Sequence, residues 1–231
     1  MLTTLLRDSW SFFKNHVLIL SIIILPVAAP IEILIALYQY SLAADKEIFT
    51  QKIIPMVIAF GAYPIYTIGV IFYIASIISG EKIEIKTLWR LGIRYWHAYI
   101  ALSLLVSAVV ITGFMLFVLP GILFTIRYSF SEFELLLNRR KPLEAMKKSW
   151  GSTKEYMWVL LAGYAVITIT LNVPYFLLTD LIGDTGMSHW VFGTLLNIVY
   201  SVLTALHTIF AFRVYEFAKL QRKQAHNKLE L

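Results

Sequence analysis

The chain contains no cysteine, and that absence removes disulfides, thiol nucleophiles and thiolate metal sites together. Charge is scarce as well: only 15% of the 231 residues are Asp, Glu, Lys or Arg. No hydrophilic run is long enough to build a separate soluble domain, so one membrane domain over 1–231 is expected. The five histidines (His16, His97, His189, His207 and His226) show no i, i+3 or i, i+4 pairing, and HExxH does not occur. Neither a GxxxxGKS/T phosphate loop nor a GxSxG elbow is present. No cofactor, metal site or catalytic residue is therefore expected, and the chain reads as non-catalytic.

What it has instead is apolar length. Hydrophobic residues make up 59% of the chain, and the mean hydropathy is +0.73, outside the range of soluble domains. The stretches 16–40, 53–80, 98–119, 157–178 and 190–214 are each long enough to cross a hydrocarbon core of about 30 Å at about 1.5 Å per residue. A sixth and weaker stretch is 122–138. A cleaved leader is set aside, because the first apolar run continues past Val27-Ala28-Ala29 through 31–40.

Charge placement orients these spans. With a cytoplasmic N-terminus and six spans, Lys46 and Lys52 alone among the 20 Lys and Arg fall outside, and Arg127 lies within a span. The positive-inside rule then puts both termini in the cytoplasm. The net charge of +6 is explained by this placement, so no nucleic-acid partner is expected. Asp180 and Asp184 sit near Gly183 and Gly186, which reads as a solvated outer connection.

The region 98–138 would be about 60 Å long as one helix, twice what a bilayer accepts. The sequence predicts a turn at Pro120-Gly121, where proline lacks a donor and glycine relaxes the backbone. The second limb carries Arg127, Glu132 and Glu134, each costing about 2.5–3.5 kcal/mol near a span centre. It is expected to insert as a hairpin with its polar face turned into the protein.

Three segments, 5–18, 86–100 and 143–160, combine apolar and basic residues with Trp10, Trp89 and Trp150. They read as amphipathic helices at the inner interface. The expected fold is thus an all-α integral membrane protein, six transmembrane helices in three hairpins, each preceded by an interfacial amphipathic helix.

Among polar residues, Arg127 lies about 9 Å below the predicted turn and Glu32 about 12 Å from the outer end of the first span. The two are expected to meet as a buried pair. Glu134 shares the face of Arg127, whereas Glu132 points away. Glu32, Arg127 and Glu134 form the candidate intramembrane polar cluster, as a structural pairing or as a ligand site. The prolines at 26, 30, 55, 64 and 174 read as ordinary kinks. Arg139, Arg140, Lys141, Lys147, Lys148 and Lys154 are the candidate contacts to anionic lipid of the inner leaflet, at about 1 kcal/mol per basic residue.

Val118-Leu119-Pro120-Gly121-Ile122, followed after a helix-length interval by Glu144-Ala145-Met146-Lys147-Lys148-Ser149-Trp150, resembles the signature of the YciC-like family of uncharacterised bacterial inner-membrane proteins. It is also similar to the membrane domain fused to some glycerophosphodiester phosphodiesterases. The specific match covers about 40 residues. The resemblance implies a bacterial cytoplasmic membrane and an envelope role without a known activity, with Pro120, Gly121, Ala145 and Ser149 as architectural positions. The function expected is binding of lipids or of a membrane partner in a scaffold role. The alternatives are a small transporter or lipid-handling protein lined by Glu32, Arg127 and Glu134, and, third, an enzyme acting on lipids.

Overall fold

Residues 1–41, 53–182 and 187–229 are described by a computed structural model, and all regular structure among them is helical. Lys46, Lys52 and the connection at 183–186 lie outside the described residues. The first helix, α1 (Leu2–Ser41), carries Pro26 and Pro30 inside it. Then come α2 (Ile54–Ser79), which starts on Pro55, and α3 (Ile85–Leu116). Two short helices follow, α4 (Val118–Arg127) and α5 (Ser131–Leu136). Next are α6 (Pro142–Ser152), one 3-10 turn (Lys154–Tyr156) and α7 (Met157–Ile182). The last two are α8 (Met187–Leu203) and α9 (Ala205–Leu229).

Five stretches are long and apolar enough to cross a membrane: Leu2–Gln39, Ile54–Ser79, Ile85–Leu116, Lys154–Leu181 and Trp190–Gln224. Their exposure pattern agrees with a lipid surrounding. Only 17% of the most apolar window of α3 is buried inside the protein, and Met115, Phe117, Leu119 and Leu181 are each more than 70% exposed. Apolar surface of that extent is stable against hydrocarbon and not against water. The chain is a multi-pass membrane protein.

The sixth predicted stretch, 122–138, is divided between α4 and α5, neither of which is long enough to span alone. The break has a local cause. Ser129 Oγ and Ser131 Oγ donate to the carbonyls of Ile126 and Tyr128, offering the backbone turns in place of helix bonds.

The reversal between α3 and α4 falls at Phe117, whose extended backbone (φ −163°, ψ 158°) ends one helix and starts the next. That is three residues before the predicted Pro120-Gly121. Pro120 instead occupies the first turn of α4, where its missing N–H would have had no helical partner. Gly121 serves packing: a Cβ there would lie 2.3 Å from the Phe114 ring.

Two of the three predicted interfacial helices are not separate elements. Residues 5–18 run on into α1 and 86–100 into α3, since no glycine or proline divides them from the spans. Only the third is set off, as α6, and Gly151, Ser152 and Thr153 supply the interruption before α7. The helix is amphipathic in burial: Ala145, Met146, Ser149 and Ser152 are inside, Lys147 and Lys148 outside.

The core joins the middle of the chain to its end. α1 packs on α2, α8 and α9, and α5 is held against α9 by rings. Phe133 meets Phe212 and Tyr215 at 5.2 Å between centroids, and Phe130 meets Tyr215 at 5.3 Å edge-on. Phe130, Phe133, Phe210 and Phe212 are all fully buried.

Candidate functional site

The geometry is set by how α6 fastens the break between α4 and α5. Ser149, with no exposed surface, donates from Oγ to the Arg127 carbonyl at 2.7 Å and accepts from the Phe130 N–H at 3.1 Å. Thr153 Oγ1 donates to the same carbonyl at 3.1 Å. Both orphaned groups of the break are thereby satisfied. The Arg127 side chain lies over the Trp150 ring, its guanidinium carbon 4.4 Å from the centroid, a cation–π contact shielded from water.

The fastened α5 projects Glu134 into a polar cluster. Glu134 is buried, and its Oε2 accepts from Arg140 Nε at 2.9 Å and from Asn138 Nδ2 at 2.9 Å. Tyr215 of α9 donates to Oε1 at 3.4 Å, and the Asn138 amide also donates to the Tyr215 hydroxyl at 2.8 Å. Each oxygen of this buried side chain is thus met by a donor.

Above this cluster lies a cavity of about 190 Å³ whose wall includes the cations Arg140, Lys148, Lys219 and Arg222. Arg140 is neutralised by Glu134, and Lys219 faces Glu216 at 3.8 Å across an exposed pair. Lys148 and Arg222 have no carboxylate partner among the described residues. Arg222 is nevertheless fixed: its two terminal nitrogens donate to Oγ and to the carbonyl of Ser152, each at 2.9 Å. That leaves a small recess with excess positive charge and a positioned guanidinium, which suits an anion.

Arg139, on the approach to this recess, has φ +52°, a left-handed conformation that costs a side-chain-bearing residue about 1–2 kcal/mol. The turn it makes lets the Arg140 N–H reach the Glu134 carbonyl at 3.3 Å. Replacing Arg139 with glycine is expected to raise thermal stability by about 0.5–1 kcal/mol, read as a higher unfolding midpoint in detergent. A lower midpoint would mean that the Arg139 side chain contributes more than its backbone costs.

The predicted polar cluster is not brought together. Glu32 accepts a short hydrogen bond from the Tyr63 hydroxyl, Arg127 rests on Trp150, and Glu134 pairs with Arg140. Helical spacing gave depth along each helix but not rotation, and α1 faces α2 where Glu32 lies. Of the predicted lipid contacts, Arg140 and Lys148 line the recess, while Arg139, Lys141, Lys147 and Lys154 are exposed and do not line it. Asn138, Ser152, Tyr215, Lys219 and Arg222 were not foreseen. Tyr215, Lys219 and Arg222 sit at i, i+4 and i+7 of α9, a stripe legible in the sequence once that helix is known to return to α6.

A larger cavity, about 480 Å³, opens between α3, α4, α5 and α7. Leu102, Val106 and Val110 form an apolar wall, and Ser103, Ser107, Ser129, Ser131, Tyr164 and Glu132 contribute polar atoms. Glu132, which the helical spacing sets on another face than Arg127, lines this cavity.

The model of a family described as "Uncharacterised protein family (UPF0259)" matches residues 37–217. No curated protein and no solved structure matches the chain.

Proposed function

Because the chain belongs to the uncharacterised protein family UPF0259, we propose a function from its own residues: a non-catalytic, multi-pass protein that binds the phosphorylated headgroup of an anionic lipid. The observation that carries this reading is the basic recess, where Arg222 is held by Ser152 and Lys148 stands without a counter-charge. A headgroup phosphate at a membrane surface supplies the missing negative charge and the acceptors for a planar guanidinium. The bacterial inner membrane enters through the YciC-like resemblance of 118–122 and 144–150. A scaffold role follows if the bound lipid, or a membrane partner beside it, is what the protein holds in place.

Six crossings are part of the proposal. Residues 118–136 would reach about 28 Å as one straight helix, close to one hydrocarbon thickness, and the break between α4 and α5 interrupts but does not remove that length. Cytoplasmic placement of both termini is supported by neighbours that gather basic ends together. Arg222 bonds to Ser152, and the Arg213 guanidinium lies 5.3 Å from the Phe12 ring centroid. A transport pathway through Glu32, Arg127 and Glu134 is not favoured, since their contacts lie in three separate surroundings.

The test uses the full-length protein in nanodiscs of phosphatidylcholine doped with phosphatidylglycerol. Lipid retained through native mass spectrometry is expected to be enriched in phosphatidylglycerol. Lys148→Gln together with Arg222→Gln should cut that enrichment at least about fivefold, as expected for losing two charge-assisted contacts. Enrichment equal in the variant and the parent would sink the proposal.

A further inference from the structure

The large cavity beside α5 has a chemistry opposite to that of the basic recess. Among the described residues lining it, Glu132 is the one acidic residue, and no Lys, Arg or His stands beside it. None of the salt bridges among the described residues involves Glu132. The hydroxyl of Tyr99, a residue buried at 7% exposure, lies close to its carboxyl group. A lone carboxylate among apolar helices is costly unless something positive meets it. Ser103 and Ser107, one helical turn apart on α3, present oxygen acceptors to the same space, and an apolar wall continues beyond them. The volume, about 480 Å³, is that of a small-molecule site and far larger than a single ion needs.

We propose that this cavity binds a lipid-like primary ammonium, its –NH3+ group on the Glu132 carboxylate and its alkyl chain along Leu102 and Val106. The serine hydroxyls accept the N–H bonds that the carboxylate leaves free, which favours a primary ammonium over a quaternary one. The site is separate from the anion recess: Glu132 and Glu134 lie two residues apart on α5 and point in different directions. Each site can therefore fail without the other.

The probe is decylamine, which is protonated at pH 7, set against uncharged decanol, with the full-length protein in phosphatidylcholine nanodiscs. Dicyclohexylcarbodiimide, which attacks carboxyl groups in apolar surroundings, is expected to label Glu132, as located by peptide mass spectrometry. Decylamine should suppress that labelling saturably, and decanol at equal concentration should not. Glu132→Gln should weaken decylamine retention about tenfold or more, the size expected for losing one charge-assisted contact. Should Glu132→Gln fail to fold, Ser107→Leu keeps the carboxylate but fills the cavity. Labelling of Glu132 should then persist while decylamine protection drops at least about fivefold. Equal protection by decanol, an unlabelled Glu132 in the parent protein, or undiminished protection in Ser107→Leu would each overturn the proposal.

Discussion

Replacing Gly163 with alanine is expected to destabilise the protein by about 1–3 kcal/mol, the range for overfilling a packed core. A Cβ at this position would fall 1.9 Å from Cζ of Phe210 and 2.2 Å from Cε1. Phe210 has no exposed surface and is flanked edge-on by Tyr164, so its ring cannot step aside without disturbing the α7–α9 contact. For a chain of this length the unfolding midpoint should drop by about 2–4 °C per kcal/mol. The clash is with a side chain, which makes it separable. Adding Phe210→Leu to Gly163→Ala should cost less than Phe210→Leu does in the parent, a favourable coupling in a double-mutant cycle. Gly92 supplies the contrast, because a Cβ there would meet the carbonyl oxygen of Ile65 at 2.4 Å. Gly92→Ala should be as damaging, yet Ile65→Ala should not relieve it. Additive effects in the Gly163–Phe210 cycle, measured by thermal unfolding in detergent, would refute the contact.

Ser149→Ala is expected to cost about 1–3 kcal/mol, the range for leaving one buried backbone group unmet. The Phe130 N–H would lose its side-chain partner outright, while the Arg127 carbonyl would keep Thr153 at 3.1 Å. Ser149→Ala with Thr153→Val should therefore exceed the sum of the two single changes, since only the double variant strips that carbonyl. Thermal unfolding of the four proteins measures this. A Ser149→Ala midpoint within about 1 °C of the parent would mean that water or a backbone shift replaces the hydroxyl.

The spans were legible because a bilayer imposes length and hydropathy on each helix separately, and 53–80 and 98–119 need no neighbour to be recognised. The polar chemistry was less so. Rise per residue placed Arg127 and Glu32 along their helices, but which way each turns depends on packing partners that periodicity does not name. Tyr63 and Trp150 are such partners, and neither lies on the helix it serves. The turn before α4 was displaced by three residues because Pro120 can start a helix as readily as end one, a matter decided by Phe117 and its ring-on-glycine surroundings. The basic segment from Arg139 to Lys154 was readable as surface charge. Its conversion into a recess required α9, some 70 residues further on, to bring Arg222 to Ser152.

The fastening of the break by α6 also has a consequence for synthesis. The hydroxyl that satisfies Phe130 and Arg127 lies 19 and 22 residues downstream of them, and the rings that enclose α5 lie roughly 80 residues downstream. When α4 and α5 leave the ribosome, neither is yet available. This part of the chain, with an arginine and two acidic residues, is therefore synthesised before the segments that enclose it. Enclosure of α5 thus depends on α9, a helix made well after it, and this part of the fold cannot be completed in simple chain order.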